Sequence, residues 1–213
     1  MKVKIKIPET LSEIKLSQYQ KFIKTTKDIE DENFIARQMV GIFCNIPDEV
    51  VKSIRAKDYD EIIASISKVL EQKPTHEVKI DVDGVKLGFI PNIEEITVGE
   101  QTDLDEYFKD VSTMDKAMAV CYRPIKQERS NGYLIEDYKG DGKGLDVDLN
   151  TALATSVFFS TLTSDLLNAT QKFIEGQVAH NHKVSQILEE NGVGTAQFTD
   201  SLNFSINHLK KFL

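Results

Sequence analysis

FIPNIEEITVGEQTDLDEYFKDVSTMDKAMAVCYRPI, residues 89–125, is the stretch on which the reading of the fold turns. Asp103 and Glu106 stand three apart ahead of an apolar run, the spacing of a helix-capping pair. Leu104, Tyr107, Phe108, Val111, Met114, Met118, Cys121 and Tyr122 then recur at helical spacing. They predict one helix with a wide apolar face, closed by Pro124. No nucleophile, base or set of metal ligands converges in this stretch, so its residues point to packing rather than to a reaction.

Hairpins are expected on both sides of that helix. Upstream, Val78, Ile80 and Val82 alternate, Asp83-Gly84 follows, and Val85, Leu87 and Phe89 alternate again. Asp-Gly between alternating runs is a strong hairpin signal, because both residues tolerate the positive φ of a tight turn. Downstream, a second hairpin is predicted about Asn131-Gly132, with Lys126–Arg129 outgoing and Tyr133, Ile135 and the Tyr138 region returning.

Towards the N-terminus, Val3, Ile5 and Ile7 alternate with Lys and end at Pro8, predicting a short edge strand. Ser17 and Gln20 form a capping pattern, so a helix is expected from about residue 18. Ile35, Met39, Ile42, Phe43 and Ile46 mark a second helix that stops at Pro47. Asp58 and Glu61 cap a third, carrying Ile62, Ile63, Ile66, Val69 and Leu70 up to Pro74.

Towards the C-terminus, YKGDGKG at residues 138–144 reads as a flexible joint. Asp148 then caps a long helix with Ala152, Leu153, Val157, Phe158, Phe159, Leu162, Leu166, Leu167, Phe173 and Ile174, apolar on several sides at first and therefore expected to be surrounded. Gly176 is a weak point in it. Asn191-Gly192 and Gly194 break the pattern before a last amphipathic helix with Phe198, Leu202, Ile206, Leu209 and Leu213.

The fold class that follows is mainly α (α+β), in three parts. Residues 1–74 form a strand-plus-helical unit, 75–144 a hairpin–helix–hairpin unit, and 145–213 a C-terminal helical region with a long buried helix and an amphipathic end.

Composition narrows the function classes. The 213 residues are 40% hydrophobic and 28% charged, with net charge −8, so general binding to nucleic-acid phosphates is not expected. Charge is unevenly spread: residues 1–27 carry seven Lys against two Glu, whereas residues 28–110 carry twenty acids against nine bases. Such a chain suits pairing with a copy of itself or with an acidic partner at its basic end; a solvated, Lys-rich edge strand explains the same lysines. The richest apolar stretch, residues 149–167, contains Asn150, four Thr and Asp165, which suits a buried helix and not a membrane span. The two cysteines, Cys44 and Cys121, sit at apolar helical positions and read as reduced, small hydrophobes.

Candidate chemical sites each have a plainer explanation. Asp137, Asp141, Asp146 and Asp148 invite a calcium reading, but Lys139 and Lys143 interrupt them, and a solvated turn plus a helix cap accounts for all four. GDGKG at 140–144 lacks the spacing and the Ser or Thr of a phosphate loop. His180 and His182 stand two apart on a helix, about 200° around its axis, and cannot share a metal. No catalytic, cofactor-binding or metal-binding residue is therefore assigned. The residues expected to meet another protein are Tyr107, Phe108, Met114, Met118, Phe198, Leu202, Ile206 and Leu209.

The ordered motifs FIPNIEEIT, Gly99-Glu100, Leu104-Asp105, MAVCYRPI, YLIEDYKG and LDVDLNTALATSVFF, over residues 89–159, resemble a family of uncharacterised proteins of tailed bacteriophages. This chain departs from the family at Cys121, where an aliphatic residue is usual, and at Gly144-Leu145-Asp146-Val147-Asp148, where the family has Met-Pro-Leu-Asp. DYDEIIASISKVL also looks faintly like phage tail assembly chaperones. The resemblance implies a non-enzymatic virion structural or assembly protein in the head, portal or tail, or packaged inside the particle. Its partners would be phage structural proteins in a homo- or hetero-oligomer, and its location the virion, or the host bacterial cytoplasm during assembly. A soluble tail assembly chaperone is the alternative, and an enzyme whose residues converge only in three dimensions is a third class.

Overall fold

A computed structural model of the protein describes residues 5–178, with side chains of the last helix described as far as residue 165. In chain order the elements are α1 (Leu16–Thr26), α2 (Glu32–Phe43), α3 (Asp48–Lys52), α4 (Ala56–Leu70), β1 (Lys79–Val82), β2 (Val85–Phe89), α5 (Val98–Tyr107), α6 (Met114–Cys121), β3 (Tyr122–Arg129), β4 (Gly132–Ile135) and α7 (Leu149–Val178). The mainly α, α+β class is as expected. The two hairpins join into one antiparallel sheet of order β1-β2-β3-β4.

The sheet is built where turn chemistry and alternation agree. Asp83 and Gly84 take φ of +52° and +81° at the β1–β2 turn, as an Asp-Gly hairpin requires. β3 is longer than its polar arm suggested: it starts at Tyr122, pairs Tyr122, Arg123 and Pro124 with β2, and pairs Ile125 to Arg129 with β4 across an irregularity between Ile125 and Gln127. Pro124 therefore lies within a strand and does not close a helix. The β3–β4 loop is Ser130-Asn131, between the paired Arg129 and Gly132, one residue earlier than expected.

Several helix boundaries differ from the sequence expectation, each for a local reason. The apolar run 104–122 is not one helix. α5 ends at Tyr107, Asp110 accepts the Ser112 N–H at 2.8 Å, and the chain restarts as α6 at Met114. Asp103 and Glu106 lie inside α5, which is capped by Thr97 and Glu100. α1 begins at Leu16, where Gln18 accepts the Lys15 N–H at 2.9 Å, while Ser17 and Gln20 bond elsewhere. α4 begins at Ala56, with Asp58 in its first turn paired to Arg55 and not acting as a cap. Ile5–Pro8, the described part of the expected edge strand, joins no ladder, although Ile5 and Ile7 rest against the core.

One buried cluster draws on all three sequence units, from Leu11 and Tyr19 through Phe89, Met118 and Tyr122 to Val147, Leu149 and Ala152. Two backbone bonds stitch its ends, Leu16 N–H to Val147 O at 2.9 Å and Leu149 N–H to Ile14 O at 2.7 Å. The first turns of α7 are thereby enclosed by α1, α6 and the turn at Leu11–Glu13. Asp148 caps α7 as expected, accepting the Thr151 N–H at 2.9 Å. Buried Thr155 and Ser156 donate their hydroxyls back to the carbonyls of Thr151 and Ala152, so their burial leaves no donor unpaired. Among the described residues, no helix is long and apolar enough to cross a membrane.

Candidate functional site

A groove of about 390 Å³ lies between the 90–100 segment and the β4 region. Its floor is set by a helix start. Thr97 caps α5: its hydroxyl accepts the Glu100 N–H at 3.2 Å, and the Glu100 carboxylate accepts the Thr97 N–H at 2.7 Å and hydroxyl at 2.8 Å. Arg123, from β3, donates to the other carboxylate oxygen at 2.7 Å, with side-chain exposures of 12% for Arg123 and 6% for Glu100. Burial works to raise the Glu100 pKa, but the Thr97 bonds and the Arg123 charge outweigh it and hold the carboxyl below its usual range.

Tyr133 forms the opposite wall and ties the hairpins together. Its hydroxyl lies 2.9 Å from the Val78 carbonyl and 2.8 Å from that of Phe89. Its ring covers Gly88, where an added Cβ would meet a ring carbon at 2.3 Å; the glycine is there to let the ring approach. Lys79 sits over the same ring at 5.1 Å and pairs with Glu128 at 2.7 Å. Burial, then the Glu128 charge, raise the Tyr133 pKa.

A second groove, about 230 Å³, lies under the glycine-rich loop, with Leu87, Ala119, Tyr122, Pro124 and Leu145 in its lining. The loop is pinned rather than free. Tyr138 donates to Asp103 at 2.5 Å, Leu145 N–H reaches Asp115 O at 2.9 Å, and Ser17 bonds Asp146 through both N–H and hydroxyl at 2.8 Å. Gly144 lies so close to Asp115 that a Cβ would fall 1.8 Å from its carboxylate oxygen.

The carboxylates that invited a calcium reading are thus engaged within the chain. Asp137 pairs with Lys126 at 3.0 Å and Asp141 with Lys143 at 2.9 Å, Asp146 holds Ser17, and Asp148 caps α7. Among the described residues no three His, Cys, Asp or Glu side chains cluster to hold a metal. Burial pushes the Cys44 thiol up to about 11 and Cys121 further still, which disfavours the thiolate at neutral pH. His76 stacks on Phe158 at 5.2 Å and meets Phe89 edge-on at 4.6 Å, and burial lowers its pKa. These surroundings favour neutral, inert side chains over reactive ones.

The residues expected at an interface divide into three groups. Phe108, Met114 and Met118 are buried in the chain's own core, because the break at 108–113 turns that apolar run inward. Tyr107 is half-buried, with Lys116 over its ring at 5.5 Å. Phe198, Leu202, Ile206 and Leu209, like His180 and His182, lie outside the described residues. Sequence reasoning passed over Thr97, Glu100 and Arg123. Thr97-Val98-Gly99-Glu100 has capping-box spacing and was the available signal; Gly99, a poor helix former, obscured it.

Among the described residues, exposed large apolar side chains stand at Ile29, Val78, Val85, Val98 and Leu134, and two more lie on α7. Val157 is 48% and Leu162 40% exposed, and Thr161, Ser164 and Asp165 are exposed beside them. No family model matches the chain, and no curated protein or solved structure matches it.

Proposed function

We propose that this chain is a non-enzymatic structural or assembly protein of a tailed-bacteriophage particle, working through protein–protein contacts in the head, portal or tail, or packaged inside. The observation that carries the contact reading is the exposure of Val157 and Leu162 on α7, within the two turns beyond the enclosed residues. The groove supports the same reading, since both carboxylate oxygens of its buried Glu100 are bonded within the chain and serve to fix the start of α5, although the Arg123 Nε has no hydrogen-bond partner among the described residues. The phage assignment rests on the ordered motifs of residues 89–159.

Mass spectrometry of purified virions tests it. Stoichiometric recovery of the chain in particles is the expected result. Presence in infected cells with absence from particles would favour the tail assembly chaperone, which acts in the host cytoplasm and leaves. Absence from both, with turnover of a substrate by the pure protein, would overturn the proposal in favour of an enzyme.

A further inference from the structure

α7 runs for 30 residues, about 45 Å at 1.5 Å per residue, and among its described side chains, which end at residue 165, the fully enclosed ones lie near its start. In proteins most of a helix's stability comes from packing one of its faces, so the sequence of the outer part of α7 is read for what that face would pack against. Three features of the sequence beyond Phe159 specify that packing. Leu162, Leu166, Ala169, Phe173 and Gly176 follow one another at steps of four, three, four and three, the 3.5-residue average of a helix that winds around another. Charges are almost absent: Asp165, Lys172 and Glu175 are the only ones between residues 149 and 178. Asp165 and Lys172 stand seven apart, at the same heptad position, with opposite sign.

We infer that the second half of α7 pairs antiparallel with the same helix of a second copy of this chain, about a two-fold axis near residues 167–168. That register sets Leu166 opposite Ala169 of the other copy, a large residue against a small one. It also sets Leu162 opposite Phe173, and brings Asp165 towards Lys172 twice, once on each side of the axis. A parallel pairing would set identical residues side by side and leave those charges without reciprocal partners. The arrangement does not depend on the phage assignment: its test uses pure protein, whereas that assignment is decided on particles.

Sedimentation equilibrium of the full chain reads the pairing, and two buried native thiols leave engineered cysteines a clean background. Wild type is expected to form a dimer. Leu162→Glu should raise the dimer dissociation constant at least tenfold with circular dichroism of the body unchanged, since Leu162 is already 40% exposed in the single chain. Asp165→Lys should weaken pairing, and adding Lys172→Asp should restore it. Leu166→Cys mixed with Ala169→Cys should give a mixed disulfide, and neither variant alone a comparable yield. A monomeric wild type, a dimer indifferent to Leu162→Glu, or efficient self-crosslinking of Leu166→Cys alone would each overturn the inference.

Discussion

From Leu149 to Ser156, α7 passes through the body with Leu149, Ala152 and Thr155 fully buried, whereas from Val157 to Asp165 the same helix leaves Val157 and Leu162 substantially in water. The two stretches are similarly apolar in sequence. What differs is the cover, which comes from distant residues: Ile14 and Leu16 at one end of the chain, Met114 and Met118 in the middle. An apolar run therefore states that something must cover it, and only the fold states whether the chain itself does so.

The contrast sharpens most through a matched pair of truncations. Leu149→Ala should cost about 4 kcal/mol of folding stability in chemical denaturation, as expected for a fully enclosed leucine. Leu162→Ala, measured in dilute protein, should stay within about 0.5 kcal/mol of wild type. Equal losses at the two positions would erase the distinction between the halves.

Arg123→Met probes the enclosed side through charge. Leaving Glu100 buried without its partner should cost about 3 kcal/mol in the same assay, well above the loss from Lys143→Ala at an exposed pair, about 0–0.5 kcal/mol. The pH dependence has a definite sign. Because the folded Glu100 pKa lies below its unfolded value, its contribution is complete above the ordinary glutamate pKa of about 4.3 and is lost as pH falls through the lower folded value. Glu100→Gln should flatten the acid limb of a stability-versus-pH curve; an unchanged limb would assign acid sensitivity elsewhere.

Gly144→Ala should cost about 2 kcal/mol, because the added methyl would meet the Asp115 carboxylate and force the 136–147 loop away from α6. Hydrogen exchange at Leu145, whose N–H bonds Asp115, should rise in parallel. Thr97→Ala should cost less than Gly144→Ala, about 1 kcal/mol for a helix cap, seen as faster exchange at Glu100.

How much was legible in the sequence follows from how local each cause is. The Asp83-Gly84 turn, the Asp148 cap and the helical runs of α2, α4 and α7 were readable, since each is decided by a few neighbouring residues. The break between Tyr107 and Met114 was not, because apolar residues continue through it at nearly helical spacing while Asp110 turns the backbone. Nor was the joining of the hairpins, which depends on Tyr133 finding carbonyls more than forty residues away. The groove was the least legible part. Glu100 and Arg123 are 23 positions apart, and neither is distinctive alone. YKGDGKG misled in the other direction, since its glycines permit close docking against Asp115 as readily as they permit motion.

The central claim is that protein covers the outer half of α7, and the molar mass of the pure full-length chain at rising concentration tests it most directly. The account predicts a mass that climbs from the 24.1 kDa of one chain to twice that value. A mass fixed at one chain up to the solubility limit, with Leu162 still exposed to solvent, would contradict it.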